Sequence, residues 1–465
     1  MISIGHSMLE RKEIRRIIKK NDTRIHFIGI GGASMSSLAE LCLLYGLSVS
    51  GSDTKKTRVT DRLISEGISC SFTHSSENIQ KIRPELVVYS LAIGRDNCEL
   101  SEAMRLNIPV ISRAQLLSAI AEDYGQVIAV SASHGKSTTV AMLHSILSVN
   151  GDLPTTLCGA ELPSGECAAF GEREYLVLEA CEYGRSFLLI RPHVQLLLNL
   201  ELDHTDCYTT LDDISEAFLA AANNAKALCV VNADDENLKR LLPRMPKGTV
   251  AFSAQRGFDY RYQLGSERGR YGFSLFYGET LIMKCQLSVI GRHNAQNAVA
   301  AAVAAHALGI ESSVISEALS SFRGIKRRLE FIGKRGNTDI IYDYAHHPSE
   351  IRAVLSALSE SGYKKIAAVF APHTYSRTKS FFGDFARALS DFHSVFLTEI
   401  YPAREAPLPG VTSRALAEAM LAIGGTAEMY NEASVLSYLD AEEPDCLVLM
   451  GAGELSRQMS CIINN

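Results

Sequence analysis

Residues 127–147 read "VIAVSASHGKSTTVAMLHSIL", and this stretch decides the architecture of the chain. Its apolar start predicts a buried strand, the polar residues after it predict a loop, and the remainder predicts a helix. A phosphate-binding loop needs inward-facing backbone N–H groups, a helix directly after them, a lysine and a hydroxyl. Gly135, Lys136 and Ser137 supply the turn, the cation and the hydroxyl. The stretch therefore predicts a nucleotide-binding domain built on a parallel sheet.

One glycine of the usual phosphate-loop pattern GxxxxGK[ST] is missing, because that pattern would place a glycine at Val130. A GKS triplet on its own is common in loops. Here it stands between a strong strand and a helix, and this context favours the phosphate-binding interpretation.

The size and composition of the chain limit its class. Its 465 residues are too many for one ordinary core, so we expect two to four domains. Hydrophobic residues make up 46% and charged residues 21%, which is typical of a soluble globular protein. The formal charge of −6 gives no general attraction to nucleic acid, and no apolar run reaches the roughly 18 residues of a membrane span. We expect neither a nucleic-acid partner nor membrane insertion.

The cysteines and the N-terminus indicate the compartment. The 11 cysteines include no CxxC pair, so neither a zinc knuckle nor a dithiol redox site is indicated. The N-terminal stretch is charged and interrupted, unlike a secretion signal, and predicts a solvated lead-in helix rather than a membrane-surface helix. Scattered thiols without an export signal are typical of a reducing cytoplasm. The expected location is cytoplasmic.

The strand–loop–helix pattern recurs on both sides of the phosphate loop. Apolar runs that end in polar or small residues predict open parallel sheets, in which ligands bind at the carboxyl ends of the strands. Residues 255–291 differ, because their pattern predicts hairpins within the second domain. We predict three α/β domains: a Rossmann-like domain (1–123), a central domain with a P-loop ATPase-like parallel sheet (124–324) and a C-terminal Rossmann-like domain (325–465).

Titratable side chains follow the buried strands of the central domain. Glu179 and Glu182 follow one strand, and Asp203, His204 and Asp206 follow the next. Carboxylate oxygens and an imidazole beside a triphosphate are suitable ligands for a divalent cation. We favour Glu179 and His204 as metal ligands. Helix caps and surface ion pairs are the alternative, chiefly for Asp206 and Glu182.

Two other regions carry candidate binding groups. Residues 29–35, "GIGGASM", follow a strand, and their glycines would let the phosphates of NAD, FAD or a nucleotide-sugar approach the backbone. In the C-terminal domain, charged and histidine side chains at strand ends could anchor a carboxylate and steady negative charge on a transferred phosphate. These side chains belong to Lys326, Arg327, Arg328, Asp343, His346, His347, His373 and Arg377.

Ten segments, in order, resemble the Mur ligase superfamily, and the resemblance runs from about Arg24 to about Glu454. The ordered set is far more specific than any one segment. The segments are "HFIGIGG", "VSGSD", "HGKSTT", "SFL", "DHTDCY", "GRHNAQNA", "RRLEF", "DYAHHPSE", "PHTYSRT" and "GAGEL".

The resemblance implies an ATP- and Mg²⁺-dependent ligation in peptidoglycan precursor synthesis. The segments are most similar to the branch that joins L-alanine to the lactyl carboxylate of UDP-N-acetylmuramate through an acyl phosphate. A carboxylate is a poor electrophile until one oxygen becomes a leaving group, so the protein mainly positions reactants and stabilises charge. We expect a monomer or a homodimer.

Three alternatives stay open. The chain could be a Mur-type ligase that adds glycine, serine or a peptide instead of L-alanine. It could bind a nucleotide-sugar without turnover, or be a dinucleotide oxidoreductase. An oxidoreductase would have no need of Lys136.

The resemblance also implies roles for individual residues. The expected metal ligands are Ser137, Glu179 and His204. The expected catalytic residues are Lys136, His204, His346 and Arg377, the last two facing the amino acid and the muramyl end. The expected nucleotide-binding residues are Ser133, His134, Gly135, Lys136, Ser137, Thr138, His293, Asn294, Asn297, Arg328 and Asp343. The expected UDP-sugar-binding residues are Gly31, Gly32, Ser52, Asp53, Ser90 and Arg113.

The chain departs from the family pattern at several positions. Ala132 replaces a glycine of the usual "GTHGKT", and Cys181 and Tyr183 replace an acid and a small hydroxyl residue of the usual "EADES". Thr374 replaces an arginine of the usual "PHRYTRT", and this change bears on amino-acid preference. An alanine at position 132 costs free energy only if the backbone there requires a positive φ.

Overall fold

The protein consists of three largely parallel sheets flanked by helices. This architecture comes from a computed structural model, which describes residues 9–20, 22–204, 207–403 and 405–451, with Leu455 and Ile462. Within these residues the sheets have five, ten and six strands. The predicted α/β class and its sheets are thereby confirmed, whereas the domain boundaries stay a prediction. Asp206 and most of the segment "GAGEL" lie outside the described residues.

The first sheet is entirely parallel, with strand order β3-β2-β1-β4-β5. Its central strands β1 and β4 are apolar and buried, as is typical of a sheet covered on both faces. The strands are β1 (Arg24–Ile28), β2 (Ser48–Ser52), β3 (Ser69–Ser71), β4 (Leu86–Tyr89) and β5 (Val110–Ser112). The helices are α1 (Arg11–Ile18), α2 (Ala33–Leu44), α3 (Arg58–Ser65), α4 (Ser76–Ile82), α5 (Cys98–Arg105) and α6 (Arg113–Ala121).

The second sheet runs in the order β15-β14-β13-β12-β11-β10-β6-β9-β7-β8, which places the phosphate-loop strand β6 between β10 and β9. The strands are β6 (Gln126–Ser131), β7 (Pro154–Leu157), β8 (Ala168–Ala169), β9 (Glu172–Glu179), β10 (Val194–Leu197), β11 (Leu228–Asn232), β12 (Val250–Ser253), β13 (Tyr260–Glu267), β14 (Arg270–Tyr277) and β15 (Thr280–Ile290). The helices are α7 (Lys136–Val149), α8 (Leu211–Asn223), α9 (Glu236–Leu241), α10 (Arg292–Ala307) and α11 (Ser312–Ser321).

The predicted hairpins are confirmed, and they extend the same sheet. Strand β14 pairs antiparallel with both β13 and β15. The alanine-rich helix α10 follows directly and is almost wholly buried. Small side chains allow this close approach to the sheet, which brings the first turn of α10 next to the phosphate loop.

The third sheet has the order β16-β17-β21-β18-β19-β20, parallel except for the edge strand β16. Its strands are β16 (Glu330–Arg335), β17 (Thr338–Asp343), β18 (Ile366–Ala371), β19 (Ser394–Leu397), β20 (Ala427–Met429) and β21 (Cys446–Gly451). Its helices are α12 (Pro348–Glu360), α13 (Tyr375–Ser380), α14 (Phe382–Ser390), α15 (Ser413–Ala422) and α16 (Glu432–Glu442).

Helix α1 joins the first sheet to the central one, so the prediction of a solvated lead-in helix is wrong for one of its faces. Ile14 and Ile18 are buried in an apolar cluster that continues from the first sheet into β9 of the central sheet. Arg11 donates to Glu122 at 2.8 Å and to the carbonyl of Leu189, in the central domain, at 2.7 Å. The apolar clusters of the third sheet are separate from this one. In the ranges that the structure describes, no helix has the length and apolarity needed to cross a bilayer.

Candidate active site

The phosphate loop connects the end of β6 to the start of α7. Gly135 caps the helix with a φ of +86°, a left-handed conformation that disfavours any residue with a side chain. A Cβ atom at this position would also collide with the side-chain amide of Asn297 on α10. Gly135 is therefore required for two reasons, its backbone conformation and the close approach of Asn297 on α10.

Ala132 imposes no strain on the loop. The residues of the described chain with positive φ do not include Ala132, and its side chain is fully buried. An alanine fits a negative φ as well as the family's glycine does and reduces the freedom of the unfolded chain. The departure from "GTHGKT" is thus compatible with an ordinary phosphate loop.

We expect Ala132→Gly to leave turnover unchanged and to lower the free energy of unfolding by about 0.4–1 kcal/mol, because glycine gives the unfolded chain more freedom. Thermal melts and phosphate-release rates of the purified variant measure the two effects. Ala129→Gly, three residues upstream in β6, is the control for stability alone. A severalfold faster turnover of Ala132→Gly would show that alanine does restrain the loop.

Asn199, which follows β10, holds the phosphate loop in place through hydrogen bonds. It was not identified from the sequence. Its side chain accepts from the backbone N–H of His134 at 2.8 Å and donates to the carbonyl of the same residue at 2.9 Å. The backbone carbonyl of Asn199 accepts from Ser133 N at 3.2 Å, and the Ser133 hydroxyl accepts from Glu201 N at 2.8 Å. The only sequence signal was its position at the carboxyl end of a central strand.

The amine of Lys136 is bound by other groups of the protein in this structure. Its Nζ lies 3.1 Å from a carboxylate oxygen of Glu182 and also donates to the carbonyls of Ala132 and Ser133. Burial disfavours the charged amine, but Glu182 outweighs this effect and raises the pKa of Lys136. Glu182 is 1% exposed, so the surface ion-pair interpretation of this residue is wrong: it is a buried counter-ion.

The expected metal ligands make different contacts within the protein. His204 Nε2 lies 3.3 Å from Glu182, and one ligand atom each of Cys181, Glu182 and His204 fall within 4.8 Å of one another. Glu179 instead accepts from Gly159 N at 2.5 Å and from Cys158 Sγ at 3.4 Å. Ser137, at the start of α7, is buried.

A cavity of about 300 Å³ lies between the phosphate loop, the first turn of α10 and helix α12 of the C-terminal domain. It is lined by nine of the eleven residues expected to bind the nucleotide. These nine are His134, Gly135, Ser137, Thr138, His293, Asn294, Asn297, Arg328 and Asp343. The structure therefore brings residues that are up to 209 positions apart in sequence, His134 and Asp343, to one site. Burial lowers the pKa of His293 to about 4, so this imidazole is neutral at physiological pH.

Glu350 of α12 links the cavity walls across two domains. One oxygen lies 3.1 Å from His134 Nδ1 and 3.6 Å from Arg328, and the other accepts from His346 N at 3.0 Å. Burial opposes ionisation of Glu350, but the surrounding cations outweigh it and hold its pKa well below the usual range. Ser349 adds a hydroxyl 3.1 Å from His134 Nε2. Neither Glu350 nor Ser349 was identified as a site residue from the sequence.

His134 is positively charged in this arrangement. Burial disfavours its charged form, but the carboxylates of Glu350 and Glu201 outweigh this and raise its pKa to about 9. Asp343 has the opposite tendency, because burial raises its pKa to about 6. Its two oxygens accept from Leu329 N at 2.8 Å and Ala345 N at 2.7 Å. Asp343 thereby fixes the segment that carries Arg328.

Arg377 and His346 stand at the carboxyl ends of the third sheet, facing the central domain. Arg377 donates to Asp203 at 3.1 Å and lies 3.2 Å from His373 Nδ1. Burial lowers the pKa of His346 to about 4, and its Nδ1 lies 2.9 Å from the carbonyl of Tyr344. A carbonyl only accepts, so Nδ1 carries the proton and Nε2 keeps a free lone pair. Thr374, beside them, has a φ of +65°.

The expected UDP-sugar residues surround the first glycine-rich loop. Gly31 N donates to Asp53 at 2.8 Å, and a Cβ on Gly31 would press against that carboxylate. The Ser52 hydroxyl points inward, where it donates to the buried Glu99 at 2.6 Å. Gly32 caps α2 and the Ser90 hydroxyl accepts from Ala92 N at 3.3 Å.

Arg113 connects this first-domain surface to the central site. Burial lowers its pKa, and the side chains of Cys181 and Glu179 partly offset that effect from the central domain. A guanidinium in this position can pair with an anionic group that reaches from the first domain toward the phosphate loop.

Together these groups can perform phosphoryl transfer to a carboxylate. The phosphate loop lines a nucleotide-sized cavity, Lys136 follows Gly135 in that loop, and the cluster of Cys181, Glu182 and His204 offers donor atoms for a divalent cation. Arg377 contacts Asp203 of the central domain, and the neutral His346 is bound to Glu350, which does line the cavity, so an amine could be presented from this side.

Three family models match consecutive parts of the chain: "Mur ligase family, catalytic domain" over residues 24–124, "Mur ligase middle domain" over 130–305 and "Mur ligase, glutamate ligase domain" over 327–453. The UDP-N-acetylmuramate–L-alanine ligase of Caldanaerobacter subterraneus is 36% identical over 93% of this chain and 95% of its own. That of Acetivibrio thermocellus is 38% identical over 93% of both chains. The crystal structure of the Thermotoga maritima UDP-N-acetylmuramate–alanine ligase matches with a TM-score of 0.79 and 27% identity, over 94% of this chain and 99% of its own.

Proposed function

We infer the activity of this chain from the premise that it belongs to the Mur ligase family. It is an ATP-dependent ligase that joins L-alanine to UDP-N-acetylmuramate in peptidoglycan precursor synthesis. The observation that carries this reading is the convergence of the phosphate loop, α10 and α12 on one cavity, in a chain similar to such ligases over nearly its whole length. The substrates belong to the cytoplasm, where we place the enzyme, as a monomer or a homodimer.

Different groups of the site act at different steps of the reaction. ATP phosphorylates the lactyl carboxylate, the amino group of L-alanine attacks the acyl phosphate, and the tetrahedral intermediate expels phosphate. Lys136 leaves Glu182 to neutralise the transferred phosphoryl group, and the backbone N–H groups after Gly135 hold its oxygens. Asn199 keeps that loop in position throughout.

A divalent cation fits the donor set of the site. Ser137, Glu179 and His204 offer a hydroxyl, a carboxylate and an imidazole, and we propose that they hold Mg²⁺. Bound Mg²⁺ would supply charge neutralisation at the phosphates. The Glu179 carboxylate is already oriented for this by the N–H of Gly159.

The C-terminal domain presents the amino acid. We propose that Arg377 pairs with the alanine carboxylate and that the free lone pair of His346 Nε2 accepts a proton from the alanine ammonium group. On the first domain, we propose that the loop around Gly31, Gly32 and Asp53, with Ser52, Ser90 and Arg113, binds the UDP-sugar.

Phosphate release with ATP, Mg²⁺ and UDP-N-acetylmuramate tests the proposal across a panel of amino acids. We expect release with L-alanine, and much less with glycine, serine or a peptide. Release that is fastest with one of those others would reassign the substrate. UDP-sugar binding without release for any amino acid would contradict the ligase reading altogether.

A further inference from the structure

We infer that Cys181, Glu182 and His204 form a binding site for a thiophilic divalent cation such as Zn²⁺ or Cd²⁺, which shares only His204 with the proposed Mg²⁺ ligands. Thiolate sulfur, imidazole nitrogen and carboxylate oxygen are the ligands that zinc takes in proteins. One such atom from each residue lies within 4.8 Å of the others. Neighbouring ligand atoms around zinc are about 3.5 Å apart, so side-chain movements of about 1 Å complete the site.

The contacts of the apoprotein already hold this triad together. His204 Nε2 lies 3.3 Å from Glu182, and the Tyr183 ring packs edge-on against His204 with centroids 5.1 Å apart. Glu182 is buried, which makes its carboxylate a strong ligand once Lys136 moves away. The triad lies on the segments that follow β9 and β10, and because both strands are parallel neighbours of β6, these segments lie at the same carboxyl edge of the sheet.

The cysteine decides which cation the site prefers. A carboxylate at position 181, usual in the family, would add one more oxygen ligand and favour hard cations such as Mg²⁺. A thiol at this position releases its proton to solvent as the sulfur–metal bond forms, and thiolate favours Zn²⁺ and Cd²⁺. The departure at Cys181 therefore changes the metal selectivity of this corner of the active site.

A bound thiophilic cation would also inhibit turnover, a step that rests on the proposed function. It would occupy His204, which belongs to the proposed Mg²⁺ set, and Glu182, the counter-ion of Lys136. Neither His204 nor Glu182 would then be available for its role in the reaction with the nucleotide. Inhibition should therefore persist in excess Mg²⁺, because Mg²⁺ competes poorly for a thiolate.

Titration of the full-length apoprotein with CdCl₂, read by the ultraviolet absorbance of the cadmium–thiolate bond, tests the site. We expect one saturating equivalent in the wild type, no such signal in Cys181→Ser or Cys181→Asp, and at least about 10-fold weaker binding in His204→Ala. Cys98→Ser, which removes an exposed cysteine elsewhere, should bind cadmium like the wild type. An unchanged signal in Cys181→Ser, or unweakened binding in a folded His204→Ala, would overturn the assignment.

Phosphate release in excess Mg²⁺ tests the inhibition separately, with each variant compared with its own cadmium-free rate. We expect cadmium to inhibit the wild type, a chelator to restore it, and Cys181→Asp to resist at the same cadmium concentration. Equal inhibition of Cys181→Asp would overturn the inhibitory step. If the wild type releases no phosphate under any condition, the proposed function fails while the cadmium titration still decides the site.

Discussion

Lys136→Ala is expected to lower the rate of phosphate release by at least about 10²–10³-fold while UDP-N-acetylmuramate still binds. The amine is the one lysine of the phosphate loop, and its removal leaves the charge of the transferred phosphoryl group without its nearest cation. We proposed above that the sugar nucleotide binds the first domain, whereas Lys136 belongs to the phosphate loop between β6 and α7. Steady-state phosphate release and calorimetric titration with UDP-N-acetylmuramate measure the two quantities.

Folding has to be separated from catalysis in this variant, because Lys136 also neutralises the buried Glu182. Loss of one partner of a buried ion pair costs about 3–5 kcal/mol. The double variant Lys136→Ala/Glu182→Gln removes the orphaned charge and should recover the melting temperature without recovering turnover. Lys239→Ala, an exposed lysine on α9, is the matched control. Equal loss of turnover and UDP-sugar binding in a folded Lys136→Ala would contradict the division of roles between the domains.

Glu350→Gln is expected to lower kcat/KM for ATP by about 100-fold, the equivalent of about 3 kcal/mol for a broken buried charge pair. Glu350 holds His134 of the phosphate loop, Arg328 of the cavity wall and the backbone of His346 at once. A neutral amide cannot pair with two cations. The C-terminal wall should therefore dock more weakly on the nucleotide loop.

The pH dependence of this variant distinguishes docking from general damage. The folded pKa of His134 is raised from 6.5 to about 9, so its contribution is complete below pH 6.5 and is lost as the pH rises through 9. Without the Glu350 carboxylate, the loss should begin at lower pH. The KM for ATP, measured between about pH 6 and pH 10, reports this shift. The control is Glu360→Gln, at the other end of α12, which can keep the hydrogen bond from Tyr271 and should follow the wild-type profile. An unshifted profile in Glu350→Gln would contradict the role of Glu350 in docking α12 on the phosphate loop.

The phosphate loop and the parallel sheets could be predicted because their signals are local. A strand, a glycine with positive φ, a lysine and a helix are adjacent in the chain, and the carboxyl ends of parallel strands define where ligand groups collect. This is why nine expected nucleotide-binding residues line one cavity. The resemblance supplied the link between residues as distant as His134 and Asp343.

Other features depend on how distant surfaces meet, and no local pattern encodes them. Asn199 is unremarkable in sequence and acts only because β10 lies beside β6. Glu350 can contact His134 only because α12 packs against the phosphate loop. The buried residues of α1 are two isoleucines within a run of basic residues, and the composition of such a run predicts a solvated helix. Glu182 looked like one of several surface acids and is instead the buried partner of Lys136.

Several charge pairs cross the joint between the central and C-terminal domains, whereas α1 and a shared apolar cluster join the first domain to the central one. Across the former joint, His134 meets Glu350, Asp203 meets Arg377, and Glu161 meets Lys326. Opposite charges attract one another as the surfaces approach, and dissolved ions screen that attraction over about 8 Å at physiological ionic strength. Apolar burial has no such dependence on moderate salt. We therefore expect higher ionic strength to slow the approach of the C-terminal domain to the nucleotide site, and to affect the apolar contact between the first and central domains less.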